Sequence, residues 1–216
     1  MIIKKFKVIN YLNLQQTGGS DDNYIKKKLL EFENIWFNRF DDINKWFYMG
    51  KQYDFELKQK FYKLHNIIVN NNYNKNLWKN NMNFCFLIML VIDQLSRHIY
   101  RGNCESFQYD NLSLELAYYI YKKGWYKKFN VWQFIFWTTV FEHSENIYDH
   151  NFIRKILLNK IKNSTGINKK LLLNKNDFLN KHSKSIKKFG YYPSRKRTCN
   201  IKLSFEEEEY LKSNMF

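Results

Sequence analysis

Three polar segments of this chain carry the residue types from which a site could be built. The first is Asp93-Gln94, followed by Arg97 and Arg101, at the end of a strongly apolar stretch, with Asp110 shortly after. The second is His143-Ser144-Glu145. The third begins at His182 and ends KKFGYYPSRKR at Arg197. Asp93, Arg97 and Arg101 recur at i, i+4 and i+8, so an unbroken helix sets all three on one face. Charge at the end of an apolar run is costly unless it is paired or used.

If the three segments converge, one pocket holds carboxylates, imidazoles and guanidiniums together. The planar fork of arginine suits a carboxylate or phosphate group. The expected ligand is therefore a small anionic molecule or the acidic end of a peptide. It would be bound by Asp93, Gln94, Arg97, Arg101, Asp110, His143, Glu145 and His182. The arginines would clamp the anion, and Asp93 and Glu145 would hold the arginines in place. An enzymatic version, hydrolase-like, uses His143 or His182 as general base with Asp93 or Glu145 as the orienting carboxylate. Against both stands a structural reading. Asp93 with Arg97 is an ordinary helix ion pair, and His143 bonds a carbonyl at a helix end.

Other chemistries lack their patterns. His143 and Glu145 are at i and i+2, and neither HExxH nor HxH occurs, so no metal is expected. Ser144 has no glycine-flanked elbow of the kind a serine hydrolase uses. Neither GxGxxG nor GxxxxGK[ST] is present, so no nucleotide cofactor is expected. Cys85, Cys104 and Cys199 are odd in number, widely spaced and form no CxxC pair. With no visible signal peptide, a reducing, cytoplasmic setting is expected. The apolar run at 84–92 is too short to span a bilayer, so no membrane partner is expected.

The formal charge of +16 comes from 36 basic and 20 acidic side chains. Asn, Lys, Ile and Tyr are all abundant, as an AT-rich genome dictates, so the charge is read first as a matter of solubility. Between Asp149 and Glu206 the sole acid is Asp177, while Lys181, Lys184, Lys187, Lys188, Arg195, Lys196, Arg197 and Lys202 crowd the 181–202 span beside Tyr191 and Tyr192. Such a segment could bind single-stranded nucleic acid through phosphates and stacking. No recognised nucleic-acid motif supports it, and that partner is not favoured.

The elements that must position these segments are helices. One proline and seven glycines in 216 residues leave few breakers, and 19% aromatic content supplies large core side chains. Trp36, Phe37, Trp46, Phe47, Trp78, Trp125, Trp132 and Trp137 all sit in or beside apolar runs. Residues 1–23 are expected to form a flexible arm and 24–216 a single helical domain. Ile25, Leu29, Leu30, Phe32 and Phe37 mark a first helix. Phe55, Leu57, Phe61, Leu64, Ile67 and Ile68 mark a second, after the aromatic cluster Trp46-Phe47-Tyr48. An Asn-rich loop at 70–76 precedes a very apolar helix from Trp78 to Tyr100, stopped at Gly102. Asp110 or Asn111 is expected to cap the next helix, which ends at Lys122-Lys123-Gly124. Residues 131–141 form another apolar helix, 159–176 include a loop, and 178–189 are helical up to Gly190. Pro193 is expected to keep the chain extended. Ser204 with Glu207 makes a capping box for a last helix. The fold class read from this pattern is all-α, an antiparallel helical array, with no repeat of fixed period.

In this order the segments resemble the bacterial and plant family called domain of unknown function 924, from about Leu30 to Leu211. The family's LLLDQFPRNIYRG followed by AFxxD is similar to residues 91–102 and Ser106-Phe107-Gln108-Tyr109-Asp110. Its HSEdlxDQ is similar to residues 143–150, and its HxxxIxxFGRFPHRN to residues 182–196. The resemblance implies an α-helical, TPR-like array and a pocket, and no established reaction. The departures are Leu95 for Phe, Ser96 for Pro, His98 for Asn, His150 for Gln, Tyr191 for Arg, Tyr192 for Phe, Ser194 for His and Lys196 for Asn. The third motif is the most rewritten, which implies a changed substrate or lost activity if the family site is catalytic.

Overall fold

Apolar residues at helical spacing give the chain its elements. The computed structural model describes residues 20–38, 51–70 and 76–213, and all regular structure among them is helical. Helix α1 (Ser20–Asn38) buries Ile25, Leu29, Phe32 and Trp36 along one stripe. It starts earlier than expected. Residues 20–23, assigned to an arm, form its first turn, where the acid Asp22 suits the positive end of the helix dipole. The rest of the expected arm, 1–19, lies outside the described residues, as do the Trp46-Phe47-Tyr48 cluster and most of the Asn-rich run, 71–75.

Helix α2 (Lys51–Val69) buries Leu57, Phe61, Leu64 and Ile68. Phe55, expected on that stripe, is 57% exposed, while the polar residues Asp54 and His65 are buried. The expected long apolar helix is divided. A short helix α3 (Asn76–Lys79) precedes Asn81, whose side chain accepts from Phe84 N and starts α4 (Met82–Leu90) afresh. The chain then widens into a π turn (Val91–Leu95) and returns to α geometry in α5 (Ser96–Ile99). The span Met82–Ile99 is long and apolar enough to cross a membrane by composition alone, but 89% of it is buried inside the protein, as in a core helix.

A 3-10 turn (Cys104–Phe107) leads to α6 (Asp110–Lys122). A second 3-10 turn (Trp125–Lys128) leads to α7 (Val131–His143), which opens with a reciprocal capping box between Asn130 and Gln133. Helix α8 (Ile147–Lys162) and α9 (Gly166–Phe189) follow. The loop expected within 159–176 is confined to 163–165, because α9 already begins at Gly166. Helix α9 stops at Gly190, whose φ of 79° is a left-handed C-terminal geometry natural to glycine. Pro193 does not hold the chain extended. It is the first residue of α10 (Pro193–Thr198), a position where its missing N–H costs nothing. Helix α11 (Phe205–Ser213) carries the expected box: Ser204 N donates to Glu207 Oε2 (2.6 Å) and Glu207 N to Ser204 Oγ (3.2 Å).

The core runs along α4, which packs on α1, α6 and α7. Helix α7 lies between α6, α8 and α9, and α5 packs on α2. Phe86, Phe134, Phe136, Phe141 and Trp137 fill the centre, Trp137 donating from Nε1 to Ala117 O (3.0 Å). Each such side chain contributes about 1.5–3 kcal/mol by burial. Asp93 lies at the far end of α4, and His143 is the last residue of α7, so this packing brings the first two polar segments together.

Candidate functional site

The π turn sets Asp93 and Gln94 at the inner end of the apolar helix, with Asp93 completely buried. π turns are frequent at functional positions. Inside the widened turn the Ser96 hydroxyl donates to Ile92 O (2.6 Å), and His65 Nε2 donates to Ser96 Oγ (2.7 Å). A serine at this position thus ties α2 to the turn, and burial pushes the His65 imidazole down to about 4.

Asp93 holds three side chains. Its Oδ1 accepts from His143 Nδ1 at 2.7 Å and from Arg97 Nη1 at 3.2 Å, and its Oδ2 accepts from Gln94 Nε2 at 2.5 Å. Burial pushes its acidity down, but Arg97 and His143 outweigh that and hold its carboxyl well below the usual range. It is therefore a carboxylate, and His143 donates from Nδ1. Burial, and then the Arg97 charge, lower the His143 pKa. The neutral ring is left with Nε2 as an acceptor that has no hydrogen-bond partner among the described residues.

Arg97 also donates from Nη1 to Asp93 O (2.8 Å), and its Nη2 meets both oxygens of Asp110 at 2.9 and 3.1 Å. Asp110 was expected to cap α6. It stands instead one residue inside the helix, where its carboxylate spans two arginines: Arg195 Nη2 lies 2.8 Å from Asp110 Oδ2. Arg195 comes from α10. Its Nη2 also donates to His143 O (2.7 Å), and its Nε is 3.8 Å from Glu145 Oε1. The guanidinium packs against two rings, 4.7 Å from the Phe107 centroid and 5.0 Å from that of Tyr192. Glu145 is anchored by Tyr192 N (2.8 Å). Tyr192 itself is buried and donates its hydroxyl to Glu142 O.

Beside this cluster lies a groove of about 510 Å³, lined by Phe107, Glu145, Tyr192 and Arg195, by Tyr191 and Ile201, and by a disulfide between Cys104 and Cys199. The Nη1 of Arg195 makes no hydrogen bond among the described residues. Two guanidiniums and three carboxylates thus meet around a neutral imidazole.

Of the expected site residues, Asp93, Gln94, Arg97, Asp110 and His143 share one hydrogen-bonded network, which Glu145 joins through Arg195. Arg101 goes elsewhere. The helix ends at Ile99, and Arg101 reaches α2, placing Nε 2.5 Å from Asp54 Oδ2 and Nη2 3.0 Å from Asp54 Oδ1. His98 Nδ1 joins the same carboxylate at 2.7 Å. His182 bonds Phe178 O through Nδ1 (2.9 Å) and sets its ring edge-on to Tyr192, with centroids 5.8 Å apart. It buttresses Tyr192. Among the described residues no cluster of three or more His, Cys, Asp or Glu is placed to hold a metal ion. Several basic residues of the 181–202 segment are paired: Lys188 with Glu206, Lys196 with Glu207, and Arg195 with Asp110.

Arg195, Phe107, Tyr192 and Asp54 were not among the expected site residues. Arg195 and Phe107 stand where the family motifs keep arginine and phenylalanine, which was the available signal. Asp54 has none, being one of two acids on an amphipathic helix.

Comparison with known proteins agrees with this architecture. The family described as "Bacterial protein of unknown function (DUF924)" matches residues 32–214, and the chain belongs to that family. The solved structure of a protein of unknown function from Agrobacterium tumefaciens superposes with a TM-score of 0.73 at 18% identity, covering 87% of this chain and 98% of that one. At that identity the likeness speaks for the fold. No curated protein matches the sequence.

Proposed function

We propose that this protein binds a small anionic molecule, or the acidic end of a peptide, in the groove beside Arg195, on a TPR-like array of antiparallel helices. One observation carries the reading: the Arg195 guanidinium is held by several partners and keeps one donor for a ligand. The Phe107 and Tyr192 rings lie against it, Asp110 and His143 O take Nη2, and Nη1 makes no hydrogen bond among the described residues, in a side chain that lines the groove. A preorganised fork of this kind loses little freedom on meeting a carboxylate or phosphate. Arg97 has a different part from the clamp first expected of it. Its donors go to Asp93 and Asp110, so it is the strut that holds Asp110 under Arg195. Phe107, Tyr191 and Ile201 give the groove apolar walls, which favour an anion carried on an apolar body.

The test is calorimetric titration of the full chain with benzoate, citrate and inorganic phosphate. Benzoate is expected to bind best of the three, and Arg195→Ala to weaken it about tenfold or more, the worth of one charge-assisted hydrogen bond. Equal binding by the Arg195→Ala protein would remove the reading.

One further observation favours an enzymatic version of the same site. His143 donates to Asp93 through Nδ1 and keeps Nε2 as a neutral acceptor, the arrangement of a general base held by a carboxylate. A hydrolase of this type would lose turnover of an ester or phosphoester substrate in the His143→Ala variant. Turnover that survives that change counts against it.

A further inference from the structure

We infer that the Cys104–Cys199 disulfide is a latch on the anion groove, opened by exchange with a small dithiol and closed by its re-formation. The inference rests on the groove reading above and adds its control. The bond joins residues 95 apart in sequence, with Cα atoms 4.7 Å apart, and both half-cystines line the groove. Each is coupled directly to the clamp. Cys199 stands one turn after Arg195, its N donating to Arg195 O at 2.8 Å. Cys104 opens the 3-10 turn that ends in Phe107, the ring under the Arg195 guanidinium.

Helix α10 has only six residues, too few to hold helical form without tertiary support. Apart from the disulfide, its side-chain polar ties to other described elements are those of Arg195 to Asp110, His143 O and Glu145, and of Lys196 to Glu207. The disulfide is the covalent tie between this helix and the turn carrying Phe107. Opening it releases the two walls of the groove from each other and the guanidinium from its fixed place against the rings.

Cys104 is exposed, so its sulfur is the point of attack. A thiolate of the dithiol bonds to Cys104 Sγ, the Cys104–Cys199 bond breaks, and Cys199 leaves as a thiolate. The neighbouring basic residues Arg195, Lys196 and Arg197 favour that leaving group. The second thiol of the reagent then closes on the first and releases Cys104. The protein gains two electrons and two protons, and the dithiol becomes its cyclic disulfide. Cys85 takes no part: it is buried, and burial pushes its thiol up to about 12.

The experiment uses the full chain, oxidised or treated with dithiothreitol, together with a Cys199→Ser variant. Two readouts are taken: benzoate affinity and amide hydrogen exchange over 193–201, with residues 131–143 as the internal reference. Reduction and Cys199→Ser are both expected to weaken benzoate about tenfold through lost preorganisation. They are also expected to speed exchange over 193–201 while leaving 131–143 unchanged. Exchange that is the same in oxidised and reduced protein overturns the latch, whatever benzoate does. Faster exchange with unaltered affinity overturns its control of the groove while leaving the binding reading intact. Absence of benzoate binding in the oxidised protein overturns the groove reading, and control of binding falls with it. An oxidised protein whose intact mass lacks the two-hydrogen deficit of one disulfide overturns the bond itself.

Discussion

Two Asp–His–Arg clusters sit at the two ends of α5, alike in composition and unlike in consequence. Around Asp54, His98 and Arg101 close on one carboxylate, with Trp36 and Tyr53 set edge-on to the His98 ring at 5.4 and 5.7 Å. That cluster ties α2 to the end of α5. Around Asp93, the same residue types join the π turn, α6, α7 and α10, and one member, Arg195, opens on a groove. The Arg101 side chain is 45% exposed and that of Arg97 is 18% exposed. The Asp54 side chain is 11% exposed and that of Asp93 not at all. The contrast teaches that a triad of such residues does not identify a site. What sets the second cluster apart is a fully buried carboxylate, a chain of shared partners and an arginine edge left open.

The comparison is broken most directly by removing one arginine from each cluster. Arg97→Ala leaves Asp93 buried with a charge it can no longer neutralise, and is expected to cost about 3–5 kcal/mol in urea unfolding. Arg101→Ala, at a half-exposed pair, is expected to cost about 1 kcal/mol and to leave benzoate affinity unchanged. Equal losses for the two would show that the clusters are equivalent struts.

Acid sharpens the comparison at an intermediate size. Burial depresses the imidazoles of His65, His98 and His143, so each is neutral in the fold and charges more readily when unfolded. Between the ordinary value near 6.5 and the lowered one, the unfolded chain holds more protons, so stability falls as pH falls. For His65, lowered to about 4, the loss amounts to about 3 kcal/mol between those limits. Asp93 and Asp54 are both held low by their cationic partners, Asp93 far more strongly, so the stability they contribute is kept through that window and lost only below it, as pH falls under the ordinary carboxylate value. Unfolding midpoints between pH 7 and 4 check the sign, and His65→Gln is expected to flatten the slope. The smallest effect is at the edge of the molecule. Ser204→Ala removes one half of the capping box of α11 and is expected to cost about 1 kcal/mol, without touching either cluster.

Much of the scaffold was legible because helix ends announce themselves. Gly102, Lys122-Lys123-Gly124, Gly190 and the Ser204–Glu207 box stand where the pattern put them. What misled were residues with two uses. Asp110 reads as a cap and serves as a bridge between arginines. Pro193 reads as a breaker and starts a helix. The meeting of Asp93, Arg97 and His143 could be anticipated, since each closes an apolar helix of the core. Arg195 was hidden in a run of basic residues, Arg195-Lys196-Arg197, that reads first as a solvated face. The Cys104–Cys199 bond had no local signal at all. A pairing across 95 residues is a fact of tertiary structure, and neither spacing nor the odd cysteine count reveals it.

The π turn at Val91–Leu95 gives Asp93 an unusual dependence on chain length. Such a turn is an ordinary helix carrying one surplus residue. Loss of a single codon there would restore regular winding and, because the wide turn already absorbs the surplus residue, would leave the helix on either side in nearly the same phase about its axis. Composition, hydrophobicity and net charge would hardly change. Among relatives, then, a one-residue gap in this stretch would mark a lineage in which the local setting of Asp93 and Gln94 has altered while the scaffold on either side has not.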